Sequence, residues 1–397
     1  MKADNLAQIR SNRVWLTKSQ CDIEEFRALV ERTTKLSDYP FAAAVESNVL
    51  VYDGDAVREA IKDPETRKAL LAEWVEAMTS GPGVVAFKRA FADMAPIDRA
   101  TELFNEMIAE QHATGTGGGD HFAKPGANDR IWNALEKFCL RDPEAFAQYY
   151  VNDIVALVSE AWLGPAYQTT SQVNCVNPGG AAQSAHRDYH LGFQSPEVIE
   201  QYPVQVHNIS PVLTLQGAVA HCDMPLESGP TLYLPYSQAY LHGYLATGLP
   251  EFKAYFAERH VQLALEKGDA AFFNPALFHG AGNNRSSNIR RMANLLQVSS
   301  GYGRAMESVD RMKMSARLYP TLQGMVSKGA LSKTAAANAI ASTAEGYSFP
   351  TNLDRDPPIG GLAPESQQAL FHRALDSGWT PAMFEKALAE QAAKKLT

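Results

Sequence analysis

Residues 267–284 read KGDAAFFNPALFHGAGNN. The Gly268-Asp269 pair is typical of a tight turn, and the apolar run at 270–273 has the length of a buried strand. His279 follows at the exit of this segment, and Arg290 and Arg291 stand where another apolar run begins. The stretch therefore predicts a turn, a strand, a histidine beyond the strand, and then a second strand.

The region around this stretch, from about residue 171 to 300, consists of short strand-like runs. Turn residues separate them, as in the Asn-Pro-Gly-Gly of 177–180 and the Glu-Ser-Gly-Pro of 227–230. The runs are 172–176, 212–220, 231–234, 261–265, 270–273 and 292–299. Several short strands broken by Gly, Pro and Asn predict a barrel or a sandwich.

Helical patterns flank this β-rich region on both sides. Apolar residues recur at helical spacing over 19–81, 96–112, 129–138, 143–163, 332–342, 364–375 and 381–394, and one strand-like run interrupts them at 84–87. We therefore expect an α+β protein with a helical N-terminal extension (1–80), a central β-rich domain (81–305) and a helical C-terminal extension (306–397).

His186, Arg187 and Asp188 form a second motif, which follows the turn at 177–180. In extended backbone, alternate side chains share a face, so His186 and Asp188 can approach one ion while Arg187 points away. Two histidines and one carboxylate are the ligand set of mononuclear iron(II) oxygenases, which leaves open positions on the metal. His279 is the candidate for the second histidine, and His190 competes for a ligand role.

Three segments resemble the phytanoyl-CoA dioxygenase family: residues 186–188, residues 227–237 with their Gly-containing strand ending in Pro-x-Ser, and residues 268–290. The resemblance covers about residues 81–305. It implies a double-stranded β-helix (a cupin-like jelly-roll) as the core between the helical extensions. It also implies an Fe(II)- and 2-oxoglutarate-dependent dioxygenase, with Fe(II) as cofactor and 2-oxoglutarate and O2 as cosubstrates.

The resemblance also assigns the site. His186, Asp188 and His279 become the metal ligands and catalytic centre. Arg290 becomes the partner of the distal carboxylate of 2-oxoglutarate, since a planar guanidinium holds a carboxylate through two parallel hydrogen bonds. If the strand begins one residue later, Arg291 takes that role instead.

Gln172 and Asn174 alternate to one face of the strand before the first motif, and they match the family's polar contacts to the cosubstrate. An ordinary polar strand face accounts for them equally well. Candidate substrate residues lie near a glycine-rich loop and near the first motif. They are His121, Lys124, Arg130, Tyr189 and His190.

The reaction implied by the resemblance is hydroxylation of an unactivated C–H bond in a small-molecule metabolite, with release of succinate and CO2. Asp188 favours hydroxylation, because related halogenases have a small residue at this position. The length of the extensions and the acidic balance favour a small polar or anionic substrate over a long-chain acyl-CoA. The extra helices suit a closing element, a homodimer contact or a brace for the barrel.

Composition excludes several classes of protein. With 45% hydrophobic and 20% charged residues in 397, the chain can bury a large core. A net charge of -8 argues against a nucleic-acid binder, and no run of about 18 apolar residues predicts a membrane span. The N-terminus lacks the apolar segment of a secretory signal, so we expect a cytoplasmic protein whose four cysteines are free thiols.

Two other interpretations stay open on the sequence. A zinc hydrolase could use the same three ligands to activate water, although Arg290 would then have no role. A binding protein could keep the fold without turnover, although the intact ligand set argues against it.

Overall fold

The computed structural model describes residues 2–116, 119 and 126–397, with side chains from residue 5 onward. The strands are β1 Ala44–Glu46, β2 Val49–Asp53, β3 Val84–Lys88, β4 Asn128–Ile131, β5 Gln168–Val176, β6 Thr214–Ala220, β7 Leu232–Leu234, β8 Val261–Gln262, β9 Ala270–Phe273, β10 Phe278–Gly280 and β11 Arg291–Ser299. Short strands and long helices together make this an α+β protein.

The helices are α1 Lys2–Val14, α2 Ile23–Val30, α3 Gly54–Ala60, α4 Pro64–Thr79, α5 Ala95–Thr114, α6 Ala134–Arg141, α7 Pro143–Tyr150, α8 Asp153–Leu163, α9 Pro196–Ile199, α10 Val204–Ile209, α11 Gly243–Ala246, α12 Pro250–Arg259, α13 Arg311–Ser327, α14 Lys333–Thr343, α15 Gln367–Asp376 and α16 Pro381–Lys395. Within the described residues, we find no helix with the length and apolarity needed to cross a bilayer.

The chain forms two compact units that alternate along the sequence. The first contains Met1–Arg89, Gly118–Asp129 and Cys175–Ala293, and the second contains Ala90–Gly117, Arg130–Asn174 and Asn294–Thr397.

The first unit contains a large mixed sheet with the strand order β1-β2-β3-β9-β6, and the first residues of β11 lie next to β6. Strands β2 and β3 are parallel, with Val51 opposite Ala86. Strand β9 is antiparallel to both neighbours, with Ala271 opposite Ala86 and Ala218. A second, antiparallel sheet has the order β10-β7-β8 and places His279 opposite Tyr233.

One buried cluster contains residues from both sheets of the first unit, among them Val84, Ala271 and Phe273 from the large sheet and Tyr233 from the small one. The Gly268-Asp269 turn is fixed beside this cluster by the Asp269 carboxylate. That carboxylate accepts hydrogen bonds from the backbone N–H of Arg89 and from the Lys88 ammonium, at 2.9 and 3.0 Å. The turn that precedes β9 is therefore hydrogen-bonded to the end of β3.

The second unit is mainly helical, and in it the rest of β11 lies beside β5. Its core contains a group of packed rings on α5, α6 and α7, where Phe138 contacts Phe104, Phe146 and Tyr149. The helical run predicted over 143–163 consists of two helices, α7 and α8. The second begins after Asn152, whose side chain caps α8 by accepting a hydrogen bond from the N–H of Val155.

Two segments differ from the sequence-based expectation. The helical assignment of 1–80 is wrong for residues 44–53, where β1 and β2 form a hairpin whose turn residues Ser47 and Asn48 have positive φ. Residues 49–52 of β2 are apolar and buried, as suits a strand inside a sheet. The helix expected from residue 129 begins only at Ala134, because residues 128–131 are extended in β4.

Candidate metal centre

The two motif segments meet at His186 and His279. Residue 186 forms an isolated antiparallel bridge with residue 279 of β10. Each backbone N–H donates to the other residue's carbonyl oxygen, at 3.1 and 3.2 Å, and the two imidazole centroids lie 4.4 Å apart. Two residues further on, the N–H of Asp188 donates to the carbonyl of Pro275 at 3.1 Å. These bonds hold the His186–Asp188 segment against the chain that leads into β10.

The structure brings the three predicted ligands together. His186 Nε2 lies 3.6 Å from Asp188 Oδ1, and His279 Nε2 lies 3.3 Å from Asp188 Oδ2. The potential ligand atoms of all three residues lie within 4.8 Å of one another. The His279 side chain is only 6% exposed, whereas that of His186 is 35% exposed, so solvent reaches the cluster from the His186 side.

Backbone contacts set the protonation of both imidazoles. His186 Nδ1 lies 3.0 Å from the carbonyl oxygen of Ser184, and His279 Nδ1 lies 2.8 Å from that of Leu277. A carbonyl oxygen only accepts, so Nδ1 carries the hydrogen in each ring and the Nε2 lone pair is free for a metal. Two neutral imidazoles and a carboxylate suit a single Fe(II) ion.

Asp188 is held as a carboxylate. Its burial alone would raise its pKa, but a hydrogen bond from His279 and the charges that His279 and His186 carry when protonated outweigh burial, so its pKa lies well below the usual range. A metal ion at the two Nε2 atoms would take the place of those protons and leave both imidazoles neutral. The Gln216 amide also donates to Asp188 Oδ2, at 2.5 Å. Gln216 stands opposite Phe273 in the β6–β9 pair, and directly opposed residues of antiparallel strands share a face.

Sequence reasoning missed Gln216. The signal that could have found it is one amide in the middle of the otherwise apolar run at 212–220. Its side chain is buried, with 7% of the residue exposed, so its polar atoms need partners within the protein or from a ligand.

The two adjacent arginines occupy different environments. Arg290 has a half-exposed side chain that donates to Asn177 Oδ1 at 3.3 Å and to Asp129 Oδ2 at 3.4 Å. Arg291 begins β11 and is only 7% exposed. Burial lowers its pKa to about 10, and among the described residues its Nη1 has no hydrogen-bond partner. A buried guanidinium with an unused donor is a ready partner for an anion.

Tyr233 connects Arg291 to the histidine pair. It stands opposite His279 in the β7–β10 pair, and its ring centroid lies 5.3 Å from that of Phe273, which in turn lies 4.8 Å from the His279 ring. Burial raises the pKa of Tyr233 to about 12, although a hydrogen bond with Thr231 and the charge of Arg291 both lower it. Thr231, Tyr233 and Arg291 thus form a polar group on the His279 side of the cluster.

The predicted cosubstrate residues Gln172 and Asn174 belong to the second unit. Gln172 is fully buried, and it donates to Gln297 Oε1 at 3.2 Å and accepts from the Arg130 guanidinium. The same guanidinium lies 4.5 Å from the centroid of the Trp132 ring. Arg130, proposed for substrate, is therefore engaged with Gln172 and Trp132, and Asn174 is half-buried.

Tyr189 and His190, also proposed for substrate, follow Asp188 directly. Both have positive φ, 65° and 48°, which is uncommon for residues with side chains and costs of the order of 1–3 kcal/mol each. The Tyr189 side chain is buried and its ring lies 5.6 Å from that of Phe193. His121 and Lys124 lie outside the described residues.

The fold and the three side chains identify the class of protein. An α+β protein that presents two neutral imidazoles and one carboxylate to a solvent-accessible point is a mononuclear metal protein of the facial-triad type. A sequence profile of the family described as phytanoyl-CoA dioxygenase (PhyH) matches residues 61–292, more than half of the chain. The protein belongs to that family, whose cofactor is Fe(II) and whose cosubstrates are 2-oxoglutarate and O2.

Individual relatives are distant. The dioxygenase trt7 of Aspergillus terreus (strain NIH 2624 / FGSC A1156) is 29% identical over 132 residues, which are 32% of this chain and 39% of the relative. The chain thus matches about two fifths of the length of this curated relative.

Among solved structures, the α-ketoglutarate-dependent epimerase SnoN from nogalamycin biosynthesis aligns at a TM-score of 0.42 and 16% identity, over 60% of this chain and 85% of SnoN. The carbocyclase SnoK from nogalamycin biosynthesis aligns at 0.39 and 16%, over 55% and 80%.

Proposed function

We propose that this protein is an Fe(II)- and 2-oxoglutarate-dependent dioxygenase that hydroxylates an unactivated C–H bond of a small-molecule metabolite, with release of succinate and CO2. His186, Asp188 and His279 hold the iron. When bound, the iron supplies the oxidising power, and the protein's residues bind, orient and shield the reactants. The two facing sheets around the triad support a double-stranded β-helix as the catalytic core.

The single observation that carries the proposal is the buried Arg291 guanidinium, whose charge acts on Tyr233, the residue opposite the ligand His279. A cation that is taken out of water without a matching anion costs free energy, and a dicarboxylate cosubstrate would supply that anion. His186, Asp188 and His279 would hold the metal that binds the 2-oxo acid end, and Arg291 would bind the distal carboxylate through charge-assisted hydrogen bonds. Activation of a metal-bound water does not itself require such a cation.

Arg291 fits this role better than Arg290. Arg290 is half-exposed and already contacts Asp129 and Asn177, so a carboxylate would compete with those partners. The charge of Arg291 acts on Tyr233, which stands opposite the ligand His279. We therefore assign the carboxylate to Arg291, with Thr231 and Tyr233 as neighbouring hydroxyl donors.

The test uses metal-free protein reloaded with Fe(II) under nitrogen. Addition of 2-oxoglutarate should produce the visible absorption band of an Fe(II)–2-oxo acid chelate, and admission of O2 should convert 2-oxoglutarate into succinate. Asp188→Ala should lose the band and the succinate, whereas Asp129→Asn should retain the band. Normal succinate formation by Asp188→Ala would overturn the assigned triad. Hydrolytic turnover by zinc-loaded protein without O2 would overturn the oxygenase assignment.

A further inference from the structure

Arg187 lies between the ligands His186 and Asp188 in sequence, and its side chain points into the protein. The residue is 4% exposed. Its Nη2 donates to three backbone carbonyl oxygens, those of Ser237 at 2.6 Å, Tyr240 at 2.9 Å and Gln238 at 3.4 Å. One guanidinium nitrogen therefore holds residues 237–240, in the loop that follows β7, through hydrogen bonds.

The same guanidinium also contacts the segment that carries the second histidine ligand. Its central carbon lies 5.3 Å from the centroid of the Phe278 ring and 5.0 Å from that of Tyr244. Phe278 immediately precedes His279, and Arg187 immediately precedes Asp188. One side chain thus touches both ligand-bearing segments on the side away from the metal donors.

A second contact reinforces the first. The Ser237 hydroxyl accepts a hydrogen bond from the N–H of Phe278 at 2.8 Å and donates to the carbonyl of Leu234 at 2.6 Å. The carbonyl of Ser237 in turn accepts from Arg187. Arg187 therefore reaches the start of β10 both through the Phe278 ring and through Ser237.

The surrounding backbone is shaped to the guanidinium. A Cβ atom on Gly243 would lie 1.9 Å from Arg187 Cζ, and a Cβ atom on Gly192 would lie 2.1 Å from the Arg187 carbonyl oxygen. A side chain at Gly243 would therefore collide with the guanidinium, and one at Gly192 would collide with the backbone of Arg187. Within the described residues, no carboxylate lies within ion-pair distance of Arg187, so its charge is balanced by carbonyl dipoles and rings.

We propose that Arg187 is a positioning residue for the metal centre, which sets the distance between the His186–Asp188 segment and His279. The inference rests on the proposed function, because it treats these three residues as iron ligands. Lys cannot replace Arg here, since an ammonium on a flexible stem lacks the planar guanidinium face that lies against two rings while one of its nitrogens donates to the carbonyls. Arg187 contacts neither substrate nor iron and acts only through the ligands.

The test compares metal binding by folded protein. Co(II) affinity of the metal-free protein is measured by chelator competition, and the visible spectrum of bound Co(II) reports the ligand geometry. We expect Arg187→Lys and Arg187→Met to bind Co(II) about 10- to 100-fold more weakly and with shifted absorption bands. Arg27→Lys is the matched control, because Arg27 lies 5.6 Å from the Tyr255 ring but has a 45% exposed side chain.

Each outcome is decisive. If Arg187→Lys is folded by circular dichroism and binds Co(II) with wild-type affinity and spectrum, the proposal is wrong. If neither Arg187 variant folds, Phe278→Leu decides in the same way, since it keeps apolar volume and removes one ring beneath the guanidinium. Failure of the wild type to convert 2-oxoglutarate would overturn the proposed function and leave the comparison of metal affinities intact.

Discussion

Gln216 donates a hydrogen bond of 2.5 Å from its side-chain amide to Oδ2 of Asp188. The bond ties one carboxylate oxygen to strand β6 of the large sheet, whereas the two imidazoles are fixed by carbonyls of their own segments. The Asp188 carboxylate thus depends on a side chain from elsewhere in the first unit.

Replacement of Gln216 should therefore weaken the metal centre. Gln216→Leu removes the donor, and we expect about 10-fold weaker Fe(II) binding, as measured anaerobically by chelator competition. Gln216→Glu keeps the size but places a second carboxylate against Asp188, and it should shift the pH at which metal binds upward. Gln262→Leu, which loses a hydrogen bond to the carbonyl of Pro230, is the control. Equal affinities for Gln216→Leu and the wild type would show that Asp188 needs no such support.

The two arginines before and at the start of β11 give a paired test. Arg291→Gln should raise the KM for 2-oxoglutarate by 10- to 100-fold, since a charge-assisted pair with a carboxylate is worth about 1.5–3 kcal/mol. Arg290→Gln should change this KM less than threefold. Succinate formation at varied 2-oxoglutarate gives both values. The opposite ranking would assign the carboxylate to Arg290.

Features that depend on local spacing were predictable from the sequence. Residue type and spacing made His186, Asp188 and His279 candidates, the family resemblance assigned them as ligands, and the structure places their potential ligand atoms within 4.8 Å of one another. The strand expected at 270–273 is observed at Ala270–Phe273, and the helix expected at 332–342 is observed at Lys333–Thr343. Periodicity and capping residues are local signals, so they can be recognised in the sequence without knowledge of the fold.

Features that depend on register were not predictable. Neighbouring residues on a strand face opposite sides. An uncertainty of one residue in the start of β11 therefore decides whether Arg290 or Arg291 is the candidate for the carboxylate of 2-oxoglutarate. Strand β2 was missed because its run Val49–Asp53 is too short for its period to be distinguished from that of a buried helix, and its pairing with β3 comes from tertiary contacts. Gln216 is close to Asp188 only in the folded chain.

Gly229, in the turn before β7, is required by both conformation and space. Its φ is +72°, and a Cβ atom there would lie 2.3 Å from the carbonyl oxygen of Asn283. Gly115 also has a left-handed backbone, with φ +65°, but a Cβ atom there would meet no atom of the described residues within 4 Å. Gly115→Ala should therefore cost only about 1–2 kcal/mol of unfolding free energy.

Gly229→Ala should cost at least about 2 kcal/mol more than that, because the backbone must also move. Urea unfolding of the two variants measures the difference. Equal losses would mean that the chain at residue 283 relaxes at no cost.

His221 is buried next to the end of β6, and we expect it to make the folded protein less stable at acid pH. Burial, and to a lesser degree the charge of Lys267, lowers its pKa from 6.5 to about 3. Between pH 6.5 and about 3, His221 therefore binds a proton in the unfolded chain but not in the folded protein. The free energy of unfolding falls as the pH drops through this range. Above pH 6.5 both states are neutral, so the contribution is constant.

We expect His221→Gln to reduce the slope of unfolding free energy against pH between 6.5 and 4.5, by up to about 1.4 kcal/mol per pH unit. Urea unfolding at a series of pH values measures that slope. His112→Gln, at an exposed position of α5, should leave it unchanged. A His221→Gln protein with the wild-type slope would show that His221 is protonated in the folded state as readily as in the unfolded chain, and the acid sensitivity would then belong to other buried groups.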